Sequence, residues 1–243
     1  MRIHPYLIQN PAYDLPFFMN EFVEDLRLRF QKAENNSQAI RMATYMKNIA
    51  PFFGISSVPR KAIYNDWKTT LPKNLNFDQK WDIVFELWEQ EERELHYVAV
   101  DWINSWNIKS LKIEDSNQLR IILQSKPWWD TVDLLANTFL GKLLLKFPEL
   151  RNDLIESWSE TNDFWLHRST LIFQLKYNQK TDLDLLSQQI SRFKSNKEFF
   201  IQKAIGWSLR EVSKWNPEWV KNEIEIQELT GLAKREASKY LSY

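Results

Sequence analysis

Phe164-Trp-Leu-His-Arg-Ser169 comes back, altered but traceable, as Phe199-Phe-Ile-Gln-Lys-Ala204, 35 positions further along the chain. The same step backwards reaches Trp128-Trp-Asp-Thr-Val-Asp133, and another reaches Glu94-Leu-His-Tyr-Val-Ala99. A looser echo follows at Leu232-Ala-Lys-Arg-Glu-Ala237. A period of that length is too short for a domain but long enough for one pair of packed helices and its turns. Such a unit cannot bury its apolar face alone, so units stack, and the stack curves with one helix of each pair on its inner side.

The local pattern agrees with helices. Trp81-Asp-Ile-Val-Phe-Glu-Leu-Trp88 and the run Leu134–Leu145 both place apolar residues at helical spacing, and alternating β-branched runs are missing. Only four glycines occur, and breaks fall at Asn10-Pro11, Asn35-Asn36-Ser37, Leu71–Asn74, Phe147-Pro148 and Asn216-Pro217. The expected fold is all-α: a curved, right-handed solenoid of HEAT-like repeats with a concave binding face. One domain spans residues 1–243, with capping helices to about residue 71 and regular repeats over 72–243.

Composition removes several kinds of chemistry. Without cysteine there is no disulfide, thiolate metal site or thiol nucleophile, and three scattered histidines (His4, His96, His167) do not mark a metal cluster. A site without metal or cofactor is expected. No apolar run reaches membrane-spanning length, and Met1-Arg-Ile-His-Pro lacks a signal-peptide pattern, which favours a cytoplasmic protein. Basic and acidic residues number 32 each. A nucleic-acid binder with that balance must segregate charge by face. Residues 164–210 carry Arg168, Lys176, Lys180, Arg192, Lys194, Lys197, Lys203 and Arg210 against only Asp182, Asp184 and Glu198. Asp82, Glu86, Glu89, Glu91, Glu92 and Glu94 form an opposing acidic stretch. Ordinary solvated helix faces would produce the same asymmetry.

Three helical faces pair aromatic rings with charge, each one repeat apart. Trp129 and Asp133 are i, i+4; Trp165 and Arg168 are i, i+3; Lys203, Trp207 and Arg210 form the third. On equivalent inner helices they would line one groove with cations, aromatic planes and a single carboxylate. Each has an ordinary structural reading as well. Most of the twelve tryptophans belong in cores. Asp130 and Asp133 stand where a helix begins, so one can serve as a cap or first-turn dipole partner. Arg168 and Lys203 can be solvated, and His167 lacks the company a base needs.

Five segments carry a resemblance. They are Tyr45-Met-Lys-Asn48 with Phe53-Gly-Ile55, Trp128–Asp133, Thr138-Phe-Leu-Gly141, Trp165–Arg168 with Phe173–Tyr177, and Lys197–Trp207 with Leu209-Arg-Glu211. In order and spacing, from about Ala43 to Ala237, they resemble the AlkD-type alkylpurine DNA glycosylases. The resemblance implies that Asp133 is the catalytic carboxylate, Trp129 and Trp207 face the lesion, Arg168 contacts DNA and Tyr45 lies in the N-terminal cleft. Lys47, Lys176, Lys203 and Arg210 join them as expected DNA-binding residues. Thr44 departs from the family, where an arginine often precedes the tyrosine, and the segment Met1 to about Leu15 is longer than the family pattern.

The implied reaction is hydrolysis of the N-glycosidic bond of cationic purines such as 3-methyladenine and 7-methylguanine in double-stranded DNA. The implied enzyme is monofunctional and expected to be a monomer. Two other readings fit a helical-repeat scaffold: a non-catalytic module that binds DNA structures, and a protein-binding adaptor indifferent to nucleic acid.

Overall fold

The computed structural model describes residues 16–241, so the break expected at Asn10-Pro11 falls outside it. Every regular element among the described residues is helical. In chain order they are α1 (Pro16–Lys32), α2 (Asn36–Tyr45), α3 (Ser57–Thr70), α4 (Phe77–Glu89), α5 (Arg93–Ser105), α6 (Asp115–Gln124), α7 (Trp129–Leu134) and α8 (Gly141–Lys146). They continue as α9 (Pro148–Ser159), α10 (Phe164–Ile172), α11 (Leu183–Phe193), α12 (Phe199–Ser213), α13 (Pro217–Ile226) and α14 (Gly231–Ala237).

The repeat is real. Helices opening at Arg93, Trp129, Phe164, Phe199 and Gly231 advance by 36, 35, 35 and 32 residues. Their partners, opening at Phe77, Asp115, Pro148, Leu183 and Pro217, advance by 38, 33, 35 and 34. The predicted breaks fall between helices for reasons of backbone chemistry. Asn35, Asn76 and Asn216 accept the orphan amides of α2, α4 and α13. Pro148 and Pro217 occupy first-turn positions, where a missing N–H is harmless. The run Leu134–Leu145 differs from expectation. It is not one α-helix: residues Leu135–Leu140 wind more widely, as a π-helical stretch joining α7 to α8.

The chain forms two compact units, dividing after Asp101 within α5. In the first, Leu26, Phe30, Trp67, Ile83, Leu87, Leu95 and Val98 make the core. The Trp67 indole donates to the Phe22 carbonyl at 2.8 Å. The loop between α2 and α3 is pinned by a wholly buried carboxylate, Glu94. It accepts backbone N–H bonds from Phe53, Gly54 and Ile55 at 3.1, 2.9 and 3.1 Å. Burial raises its pKa and the three amides pull it back. Glu94 is thus a structural pin, not part of a solvated acidic face. Gly54 has φ +83°, and a Cβ there would stand 2.2 Å from the Asn35 carbonyl oxygen.

In the second unit, polar contacts commonly reach one repeat back. Tyr177 donates to the Gly141 carbonyl at 2.7 Å, Ser208 to that of Leu171 at 2.6 Å, and Arg192 to Glu156 at 2.6 Å. Ile172, Ile190, Ile201, Ile205, Leu209, Val220 and Ala233 belong to one buried cluster. Gly206 lets α14 lie directly on α12: a Cβ there would meet Glu236 Cβ at 2.4 Å and the Ala233 carbonyl at 2.8 Å. Gly206→Ala must therefore push the two helices apart. The expected loss is about 1–3 kcal/mol, read by urea denaturation, with the helical circular dichroism of the folded state retained.

Candidate active site

The chain enters α7 through a sharp turn. Lys126 adopts φ +50° before Pro127, and Trp128 is extended. That places Trp129 and Asp130 in the first turn of α7 and Asp133 one turn later. Further along, Asp163 caps α10 by accepting the Trp165 amide at 2.8 Å, and α12 opens at Phe199. Helices α7, α10 and α12, from three successive repeats, thus carry Asp133, Arg168 and Phe200.

These three residues are bonded to one another. Arg168 Nε donates to Asp133 Oδ1 at 2.7 Å and Nη2 to Oδ2 at 2.8 Å, a bidentate fork. Its remaining terminal nitrogen, Nη1, donates to the Phe200 carbonyl, and its guanidinium lies 5.8 Å from the centre of the Phe200 ring. Arg168 is 4% exposed, while 13% of the Asp133 side chain reaches solvent. The arginine is therefore not a solvated cation, and little of it is left for a phosphate. Arg168 engages both carboxylate oxygens, and a small part of the Asp133 side chain still reaches solvent.

Burial pushes the Asp133 carboxyl above its ordinary pKa. The Arg168 hydrogen bonds and charge pull it down, and the neighbouring Asp130 pushes it up again. Around the pair stands an aromatic cluster. Phe200 lies 4.9 Å from Trp165, 5.4 Å edge-on from Trp128 and 6.4 Å from the parallel ring of Phe164. Trp128 and Trp165 are 5.9 Å apart.

Of the twelve tryptophans, seven are buried. Trp129 and Trp207 are among the five that remain half-exposed, as a ligand platform requires. Trp207 also packs against the buried cluster of the second unit. Phe200, Lys203, Trp207 and Arg210 follow one another at helical spacing along a single stripe of α12. The two cations of that stripe, however, converge on Glu236 of α14. Lys203 approaches Glu236 Oε1 at 3.4 Å and Arg210 approaches Oε2 at 2.7 Å. Lys239 donates to the same Oε2 at 2.8 Å and is the main cause of the lowered Glu236 pKa.

Lys176 donates to Thr138 Oγ1 on the π-helical stretch, and partial burial, then Lys142, lowers its pKa. His167 is a structural residue, with Nε2 on the Thr161 carbonyl at 2.7 Å and its ring stacked on Phe193. In the first unit, Tyr45 ends α2 with 72% of its surface exposed, and Lys47 is exposed with φ +61°. Phe200 and Trp128 were missed by the sequence reading, although both lie in motifs it singled out. The doublet Phe199-Phe200 at the start of a repeat was the available signal. Among the described residues, no group of three or more His, Cys, Asp or Glu side chains could hold a metal ion.

The chain and its fold have relatives among known proteins. A family model described as DNA alkylation repair enzyme matches residues 26–241. Among solved structures, one described as a predicted DNA alkylation repair enzyme from Enterococcus faecalis is 33% identical. The match covers 86% of this chain and 97% of that one, with a TM-score of 0.78. AlkD2 from Streptococcus mutans shares the fold at 17% identity, over 93% of this chain and all of its own, with a TM-score of 0.62. The smu.31 protein from Streptococcus mutans UA159 does so at 16%, over 92% of this chain and all of its own, with a TM-score of 0.60. No curated protein matches the chain significantly.

The buried fork makes a test of its own. Arg168→Ala strands a carboxylate in a desolvated site, at an expected cost of about 3–5 kcal/mol. Arg168→Lys keeps the charge but loses the second hydrogen bond and should fall between the two. Denaturant titration of the three proteins at neutral pH checks the order.

Proposed function

Because the chain belongs to the family of DNA alkylation repair enzymes, we propose that it is a DNA glycosylase releasing purines made cationic by alkylation at N3 or N7. The observation that carries this reading is the fork itself: a carboxylate fixed by Arg168, partly open to solvent and bordered by aromatic residues. The substrates proposed are 3-methyladenine and 7-methylguanine in duplex DNA.

The alkylated base already carries positive charge, so it leaves as a neutral molecule when the electron pair of the C1′–N bond moves onto it. No strong general acid is required. Positive charge then develops on the deoxyribose as an oxocarbenium ion. A carboxylate about 4 Å away at an effective dielectric near 20 stabilises it by roughly 4 kcal/mol. Asp133 is the residue proposed for that role and for orienting the water that adds to C1′, whose proton passes to the carboxylate or to solvent. Arg168 is read as the residue that orients Asp133. Each cation–indole contact from Trp129 or Trp207 would add about 0.5–2 kcal/mol, favouring charged over normal nucleotides. Lys47, Lys176, Lys203, Arg210 and Tyr45 remain proposed contacts to the duplex. Binding through them would weaken with salt.

Duplex DNA carrying one 7-methylguanine gives the test. Asp133→Asn should slow base release by about a hundredfold or more, the equivalent of roughly 2.7 kcal/mol or more of lost stabilisation. Duplex affinity should stay within a few-fold. A wild-type protein that shifts the duplex on a gel but never frees the base would instead be a non-catalytic scaffold.

A pH prediction follows from the raised Asp133 pKa. The ionised form is the active one, so release falls as pH drops through that value. The fall should begin at higher pH than an ordinary aspartate would give. A single-turnover pH profile checks this, and the limb should vanish in Asp133→Asn.

A further inference from the structure

Glu236 is the one acid on α14 and on the short 3₁₀ turn Ser238–Tyr240 that follows it. Three cations gather on its carboxylate. Lys203 approaches Oε1 at 3.4 Å, Arg210 donates to Oε2 at 2.7 Å, and Lys239 donates to the same Oε2 at 2.8 Å. Gly206 makes the meeting possible: a Cβ there would stand 2.4 Å from Glu236 Cβ and hold the carboxylate away from α12.

One ion pair would be enough to pin α14 to α12. Gathering two more cations on the same carboxylate costs mutual repulsion and leaves the group with a net charge of +2. Among the described residues no other acid lies within ion-pair distance of the three, and Glu211, next to Arg210 in the chain, is held by Lys214. The Glu236 side chain is 7% exposed, whereas those of Lys203, Lys239 and Arg210 are 40%, 47% and 21% exposed. Each cation gives one contact to Glu236, out of three N–H donors on an ammonium and five on a guanidinium. The acid is shut in while the cations can still be reached. Lys203 and Arg210 also stand one turn to either side of the half-exposed Trp207.

We propose that Lys203, Arg210 and Lys239, gathered by Glu236, form a clamp for a single backbone phosphate of duplex DNA beside Trp207. Lys239 is the member that no sequence motif marks. Glu236 is a positioning residue: its charge opposes a phosphate, yet it holds three donors at one point. A phosphodiester brings one negative charge and two unesterified oxygens, so it relieves the repulsion among the cations and accepts hydrogen bonds from them together. This rests on the duplex-binding part of the proposed function and is independent of base release.

Salt dependence reads the clamp. Fluorescence-anisotropy titrations of an unmodified duplex at several salt concentrations give the slope of log affinity against log salt, to which each neutralised phosphate contributes about 0.9. Lys239→Gln should weaken binding about three- to tenfold and leave the melting temperature unchanged. Changing Lys203, Arg210 and Lys239 together to Gln should lower the slope by about 1, because they share one phosphate; three separate contacts would lose about 3. Glu236→Gln should weaken binding even though it removes a negative charge, since the cations are no longer held together. If that variant does not fold, Lys239→Gln and the triple variant decide, being changed at positions that solvent reaches. Wild-type affinity in Lys239→Gln, a slope loss near 3 in the triple variant, or tighter binding by a folded Glu236→Gln would each overturn the clamp while leaving duplex binding in place. A wild-type protein that ignores the duplex at low salt would strike the duplex-binding reading, and the clamp with it.

Discussion

Two hydrogen bonds of 2.7 and 2.8 Å join Arg168 to Asp133, residues 35 positions apart in a chain whose helices recur at nearly that interval. The same guanidinium reaches the Phe200 carbonyl in the following repeat. One side chain thus ties helices of three successive repeats. Desolvating such a pair is costly, and the geometry must be good for the attraction to match that cost. Good geometry here means correct register between repeats, since a one-residue slip would turn either partner away by about 100°. Stacking order and the orientation of Asp133 are therefore one condition.

The rest of the second unit serves that register. Contacts such as Tyr177 to Gly141 and Ser208 to Leu171 repeat the same one-repeat reach with neutral groups. Gly206 sets the spacing of the last repeat and so brings Glu236 against the α12 stripe. Positive side chains are also used structurally. Lys142 donates to the Asn104 carbonyl near the end of α5, and Lys146 to those of Lys109 and Leu111. Lysines at such places complete carbonyls left open where a helix ends.

The sequence was readable wherever the cause is local. Asparagine caps and first-turn prolines marked helix boundaries, the 35-residue echo marked the stacking unit, and the spacing of Trp129 and Asp133 put them on one face. Illegible features were those settled by a partner one repeat away. Arg168 looks in sequence like any exposed arginine; only the approach of α7 and α12 buries it. Lys203 and Arg210 read as free cations until α14 delivers Glu236. Glu94 read as one of many surface acids, and its burial depends on a loop some 40 residues earlier. The Phe199-Phe200 doublet marked the ring of Phe200, but the use of its carbonyl by Arg168 is a backbone contact that no residue pattern announces.

The π-helical stretch at Leu135–Leu140 lies directly after Asp133 in a continuous helical run that ends at Lys146. Wider winding accommodates about one residue beyond what an α-turn would hold, and one residue corresponds to about 100° of helical phase. The stretch therefore uncouples two directions within one rod. Upstream, Trp129 and Asp133 stay half-buried, Asp133 against Arg168; downstream, Gly141 and Leu143 lie in the core. In such a segment a single-residue insertion or deletion can be taken up as a change of winding, inside a buried helix where it would elsewhere be ruinous.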